Sequence, residues 1–119
     1  MRNAERQAAR RRLDREMRYF RLAAKTKEPT QDLLRAVRQA LGIPMAEMAR
    51  KMKSNPSVIF RLERSQEQGK ISLDALVRLA DAMECDVVYG VVPRDGATLE
   101  QVAERRSWEK VLGAGRTRQ

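Results

Sequence analysis

The chain has 119 residues, which suits one small domain with extensions, and 34% of them are charged while only 4% are aromatic. Lys and Arg number 25 against 16 acidic residues, so the net charge of +9 predicts an anionic partner such as nucleic acid, an acidic protein or a membrane surface. His is absent and Cys85 is the single cysteine, which excludes a Cys/His metal cage, a His-assisted nucleophile and an internal disulfide. We therefore predict no catalytic residue, no metal and no cofactor, and hence no enzyme.

The sequence carries no sign of membrane insertion or export. No apolar run approaches the roughly 20 residues that a membrane-spanning helix needs. The basic N-terminal stretch lacks the apolar segment of a signal peptide. A cytoplasmic location without membrane contact is therefore expected.

The positive charge is concentrated near the N-terminus. Residues 1–28 carry ten basic and four acidic side chains, a difference of +6, whereas residues 29–93 carry nine and eight, or +1, and residues 94–119 carry six and four, or +2. We predict three segments with these bounds: a basic N-terminal arm, a central domain, and a C-terminal helix with a disordered tail from Gly113 to Gln119.

The arm is predicted to form a basic amphipathic helix from about Ala8 onward. Leu13, Met17 and Phe20 recur at helical spacing, while arginines cover the other faces. Such a helix either docks its apolar stripe on the domain or binds nucleic acid or a partner groove. The candidate DNA contacts of the arm are Arg11, Arg12, Arg15 and Arg18.

Four helices are predicted in the central segment from caps, chain breakers and apolar spacing. The third ends at about Arg64, and the polar residues Ser65 to Lys70 predict a loop before the fourth. The residues that mark the helix ends are Thr30 or Asp32, Gly42, Pro44, Asn55 with Pro56, and Ser72.

The β-branched run from Asp86 to Pro93 predicts a short strand. A lone strand cannot satisfy its backbone, so it pairs with another segment or with the same strand of a second copy. We favour the second arrangement, which gives a two-fold homodimer. The predicted dimer strand comprises Val87, Val88, Tyr89, Val91 and Val92.

The last helix begins at a predicted capping box formed by Thr98 and Gln101. It carries Trp108, the single tryptophan of the chain. We expect Trp108 to anchor helix packing, with base stacking as the alternative.

The second and third central helices form a candidate helix-turn-helix from Met45 to Arg64, because two short helices are joined by a three-residue turn and the second has an Asn cap. Ala49 falls where the two helices cross, and Ile59 follows ten residues later at a core-facing position. Arg61 is the long donor able to reach guanine, and the apolar Val58 and Phe60 could meet thymine methyl groups. The candidate DNA-binding residues are Lys51, Lys53, Ser54, Asn55, Ser57, Val58, Phe60, Arg61 and Arg64.

The block ARKMKSNPSVIFRLERSQEQGKISLDALVRLADAMECDVVYGVVP resembles the Cro/repressor-type helix-turn-helix proteins, and most closely the subgroup called mobile mystery protein A. The arm sequence RRLDREMRYF and the Leu99 to Trp108 helix also fit that subgroup. The resemblance implies a dimeric regulator of its own operator that behaves as an antitoxin-like partner of a Fic-domain toxin. The chain departs from the family at the turn, where Lys53 replaces a favoured Gly, and at Pro56, Ser57 and Val58, where Gln, Ser and Thr are common.

Together these features predict a mainly α fold: a compact helix-turn-helix domain with one short C-terminal strand and flanking helices, assembled as a dimer. Two functions remain open at this point. The chain is a repressor that binds double-stranded DNA specifically, or a protein-binding antitoxin that neutralises a Fic-type toxin with little specific DNA binding.

Overall fold

The computed structural model describes residues 1–25 and 30–114, and every regular element among them is helical. This confirms the mainly α class. Residues 115–119 of the predicted disordered tail lie outside the described residues, whereas Gly113 lies in the last helix. The helices are α1 (Asn3–Glu16), α2 (Arg18–Ala24), α3 (Leu33–Ala40), α4 (Met45–Lys51), α5 (Pro56–Glu67), α6 (Leu73–Ala82) and α7 (Leu99–Ala114), with one 3-10 turn at Arg94–Gly96.

The chain forms two compact units. The central unit comprises Glu28–Val88 and contains α3 to α6, and the terminal unit joins Met1–Lys27 to Tyr89–Gln119 and contains α1, α2 and α7. The predicted three-segment division stays a prediction. None of the helices in the described part of the chain is long and apolar enough to cross a membrane.

The core of the central unit is built around α5, which packs on α3 and α4, while α4 also packs on α6. Met48, Ile59 and Leu79 are almost fully buried in it. Each such side chain contributes roughly 1.5–3 kcal/mol by leaving water. Among the described residues, the buried cluster comprises Leu34, Met48, Ala49, Ile59, Leu79 and Met83.

Local signals position the ends of these helices. Asn55 caps α5 and Ser72 caps α6, each accepting a hydrogen bond from the backbone N–H three residues on, as predicted. Gly42 ends α3 with a φ of +69°, a conformation that glycine adopts without steric cost. The polar loop starts later than predicted, since α5 continues to Glu67.

Asp32 lies at the N-cap of α3, one of the two positions predicted, but the expected side-chain capping is absent. Neither Thr30 nor Asp32 supplies a side-chain cap; the N–H of Leu34 instead donates to Oε1 of Gln66, at 3.2 Å. The amide nitrogen of Gln66 in turn donates to the carbonyl oxygen of Gln31, at 2.9 Å. Because Gln66 belongs to α5, the start of α3 is held by a tertiary contact that the local sequence does not predict.

In the terminal unit, α1 packs on α7, and a side chain of α1 caps the N-terminus of α7. The backbone N–H groups of Leu99 and Glu100 donate to the two carboxylate oxygens of Asp14, at 2.8 and 3.3 Å. A carboxylate at this position satisfies unpaired N–H groups and complements the helix dipole. Thr98 and Gln101 add the predicted capping box, with reciprocal bonds of 2.9 and 3.1 Å.

The arm is helical, as predicted, but its helix starts at Asn3, upstream of the expected Ala8. Two residues of its apolar stripe lie against the chain at Gly90: a Cβ built there would meet Cγ of Phe20 at 2.8 Å and Sδ of Met17 at 3.0 Å. Gly90 thus permits an approach that any side chain would prevent.

The predicted dimer strand is wrong. Residues 85–93 are irregular, and no strand occurs among the residues that the structure describes. Val88, Tyr89 and Val91 are largely exposed, whereas Val87 and Val92 are half-buried. A run of β-branched residues favours extended backbone, but it forms a strand only when a second strand supplies the hydrogen-bonding partners. Here Gly90 lies against the side chains of Phe20 in α2 and of Met17, the residue that precedes α2.

Candidate nucleic-acid interface

The predicted helix-turn-helix lies in the central unit as α4, a turn of Met52, Lys53 and Ser54, and α5. Ala49 is 3% exposed and Ile59 is fully buried, so the predicted inward positions are confirmed. A small side chain at position 49 lets the two helices approach closely.

The turn is tight and carries conformational strain. Lys53 has a φ of +52°, in the left-handed region that glycine favours. For a residue with a Cβ this conformation costs about 1–2 kcal/mol relative to glycine. The N–H of Ser54 donates to the carbonyl oxygen of Ala49, at 2.8 Å, and thereby closes the turn. Lys53 and Ser54 are both exposed at the edge of the candidate interface.

Asn55, Pro56 and Ser57 form the N-terminus of α5. The side-chain oxygen of Asn55 accepts from the N–H of Val58 at 3.2 Å and from the hydroxyl of Ser57 at 2.5 Å. That oxygen is therefore used for capping, which leaves the amide nitrogen of Asn55 as its group for reaching a ligand. Pro56 stands at the first helical position, where its lack of an N–H is harmless.

The solvent face of α5 is formed by Ser57, Phe60, Arg61 and Arg64, all exposed and spaced by three and four residues. Phe60 is 50% exposed, and the guanidinium carbon of Arg64 lies 5.9 Å from the centroid of its ring. Such a contact restrains the arginine beside the aromatic face. Val58 is half-buried, so it presents less surface than Phe60 does.

Lys51 is oriented by contacts within the central unit. Its ammonium donates to the carbonyl oxygen of Ala82 at 3.1 Å and lies 3.7 Å from Oε2 of Glu47. The structure thus ties Lys51 to the end of α6, whereas Lys53 and Arg64 lie at the turn and on the open face of α5. The DNA contacts predicted for all three remain predictions.

Two ion pairs join α5 to α3 behind this face. The buried Arg38 and Glu63 form a bidentate pair, with Nε to Oε2 at 2.6 Å and Nη2 to Oε1 at 3.2 Å, and Arg38 also donates to the carbonyl oxygen of Ile43 at 3.0 Å. Arg35 bridges Asp32 and Glu67 at 3.0 and 3.2 Å in a more exposed position. The hydrogen bond from Arg35 lowers the pKa of Asp32, and the same bond raises the pKa of Arg35.

The candidate arm residues Arg11, Arg12, Arg15 and Arg18 are all exposed on the terminal unit. Arg12 lies 3.9 Å from Glu16, and Arg18 donates to the hydroxyl of Tyr19 at 2.9 Å. These four side chains form a cationic surface of the kind that meets phosphates without reading sequence.

This arrangement is a helix-turn-helix motif, because a short capped helix with a polar and aromatic solvent face follows a tight turn on a packed scaffold. Residues 34–89 match the family model described as helix-turn-helix, which covers a little under half of the chain. The match supports the Cro/repressor type and a DNA-binding transcription regulator; the matched family is one of regulatory domains rather than enzymes. No curated protein and no solved structure matches the chain significantly.

Proposed function

We propose that the protein is a sequence-specific transcriptional repressor that binds double-stranded DNA as a homodimer and inserts α5 into the major groove. The solvent face of α5 carries this proposal, because its aromatic ring and two arginines are free of the core that fixes the helix. In a dimer of this kind the two half-sites lie about one helical turn, or roughly 34 Å, apart.

Arg61 is the residue best suited to direct base reading. Its guanidinium can donate two hydrogen bonds to O6 and N7 of guanine, which discriminates the correct base by about 1–3 kcal/mol. Phe60 offers an apolar edge to a thymine methyl group, and Ser57 a hydroxyl near the start of the helix. Lys53, Ser54 and Arg64 are assigned to phosphates, which fix the position of α5 on the duplex.

The direct test is fluorescence anisotropy of the protein on DNA from upstream of its own gene, against a shuffled fragment, over a salt series. We expect a preference of about a thousandfold or more for the upstream fragment, the range of specific regulators. Equal affinity for both fragments, falling steeply with salt, would leave only counterion release by the basic surface and contradict the proposal.

Two arginine variants distinguish contacts that read bases from contacts that only hold the protein on the phosphates. Arg61→Ala is expected to lower the ratio of specific to non-specific affinity by about tenfold or more, because it removes base contacts. Arg15→Ala is the matched control on the arm, and it should weaken both fragments alike and reduce the salt slope by about one. Equal effects of the two substitutions on every sequence would rule out base reading by Arg61.

A second function is suggested by exposed apolar residues on the basic arm. Tyr19 and Leu22 are 66% and 61% exposed at a spacing of three on α2. Such residues mark protein interfaces, and the family resemblance points to a Fic-domain toxin as the partner. An antitoxin could also repress its own operon, so this role is compatible with DNA binding.

Co-purification with the product of the neighbouring gene tests the antitoxin role. Tyr19→Ala with Leu22→Ala should abolish capture, because the pair supplies the open apolar surface of the arm. Point variants are preferable to deletion of residues 1–28, since that deletion removes the Asp14 cap of α7. Phe20→Ala is a control for stability, because Phe20 lies against Gly90. Undiminished capture by the double variant would place the interface elsewhere.

A further inference from the structure

One face of helix α7 packs against its own unit, and the opposite face is exposed to solvent. Leu99, Val102 and Ala103 lie on the half-buried side, where α7 packs on α1. Trp108, Val111 and Leu112, spaced by three and four residues, lie on the other side and are 61%, 66% and 55% exposed. A tryptophan and two aliphatic side chains on one face form an apolar surface that a single copy leaves in water.

The charges beside this face indicate what covers it. Arg105 and Glu109 flank Trp108, and their side chains are about two-thirds exposed, with Nε of Arg105 lying 3.9 Å from Oε1 of Glu109. Glu104 is exposed on the same stretch of helix. Acidic and basic side chains are therefore interspersed around the tryptophan, and such a surface suits a partner that also carries both signs better than it suits DNA phosphates or an anionic membrane.

The same charges complement themselves. In an antiparallel pair of α7 helices with the two-fold axis at Ser107, Arg105 is level with Glu109 of the second copy, since each lies two residues from the axis. Trp108 lies one residue from the axis, so the two indole rings meet there. In a parallel pair, like charges would face each other across the interface instead.

We propose that the open face of α7 is a self-association surface, on which a second copy of this chain packs antiparallel with Trp108 at the centre and Arg105 paired to Glu109 across the two-fold axis. The inference rests on the proposed function, in which a homodimer reads two half-sites. Helix α7 is about 24 Å long, so the interface is small and the dimer is expected to dissociate in the micromolar range.

Two charge variants test the crossed pairs. The Arg105→Glu chain has two acidic residues at these positions and the Glu109→Arg chain has two basic ones, so each repels itself both within the helix and across the axis. Mixing the two chains restores both crossed pairs while the repulsion within each helix remains. Sedimentation should therefore show monomers for each variant alone, at concentrations where the unaltered protein is dimeric, and a heterodimer for the mixture.

The lone tryptophan provides an independent readout. Its emission should shift to the blue as the unaltered protein dimerises, because the ring leaves water. Trp108→Ala should raise the dissociation constant of the dimer about thirtyfold or more, as expected for an interface centre. Tyr89→Ala is the matched control, since it removes a similarly exposed ring of the same unit outside α7 and should leave the constant unchanged.

Three results would overturn the inference: an unaltered protein that stays monomeric up to about 0.1 mM, a dimer that Trp108→Ala leaves intact, or mixed charge variants that remain monomeric. These experiments contain no DNA, so they are distinguishable from the binding assay. Specific DNA binding together with any of these results would support the proposed repressor function and rule out α7 as the self-association surface. Dimerisation through α7 without specific DNA binding would support that surface and rule out the repressor function.

Discussion

Replacing Arg38 with Met is expected to lower the free energy of unfolding of the central unit by about 3–5 kcal/mol. Arg38 is 6% exposed and Glu63 is 3% exposed, so removing the guanidinium leaves a carboxylate in the core without its partner. The substitution also frees the carbonyl oxygen of Ile43, to which Arg38 donates. Small domains are stable by only about 5–15 kcal/mol, so this one change brings the unit close to unfolding at ambient temperature.

Urea denaturation followed by far-ultraviolet circular dichroism measures this loss. Arg35→Met is the matched control, because Arg35 also joins α3 to α5 but does so through partly exposed contacts that solvent screens. Replacing both buried partners, with Arg38→Met and Glu63→Leu, should recover most of the stability, since no charge is then stranded. A loss no greater than that of Arg35→Met would show that the buried pair is not energetically important.

The helix ends of the central unit were accessible from the sequence because their causes are local. Asn55, Ser72 and Gly42 act on the backbone within three residues of themselves. The crossing at Ala49 followed from the spacing of the two short helices. These signals survive folding because tertiary packing reinforces them.

Contacts between distant residues were not accessible in the same way. Asp14 caps a helix that starts 85 positions later, and Gln66 of α5 secures the start of α3. No local pattern distinguishes these side chains from others on an exposed helix face. The tertiary arrangement alone decides which polar groups meet.

The positions of the two buried charges could have been inferred from the sequence, but a reading of the apolar residues alone overlooks them. Arg38 follows the buried Leu34 by four residues, and Glu63 follows the buried Ile59 by four, so both charges stand at core-facing positions. A charged residue in that register on each of two helices predicts a buried pair. The pairing itself becomes certain only when the two helices are known to pack together.

The strand wrongly predicted from Asp86 to Pro93 shows that composition alone does not decide whether a strand forms. Strand propensity measures how well a side chain fits a paired and half-buried surface, and it does not create the partner strand. Val88 and Val91 are 77% and 88% exposed, so the residues that suggested a strand lack the packing that would stabilise one.

The adjacent residues Ile59 and Phe60 provide the sharpest test of how α5 is oriented. Ile59→Ala is expected to lower the free energy of unfolding by about 2–5 kcal/mol, because it opens a cavity where the side chain is fully buried. Phe60→Ala should cost under about 1 kcal/mol, since half of that ring is already in water.

DNA affinity should respond in the opposite order. At a temperature where both variants are folded, Phe60→Ala removes an apolar contact and the ring that restrains Arg64, so it should weaken the specific complex more than Ile59→Ala does. Circular dichroism melts and anisotropy on the same preparations give both quantities. If Ile59→Ala weakened the specific complex more and Phe60→Ala lost more stability, α5 would present a different face to the groove, and the assignment of Arg61 as the base-reading residue would fail with it.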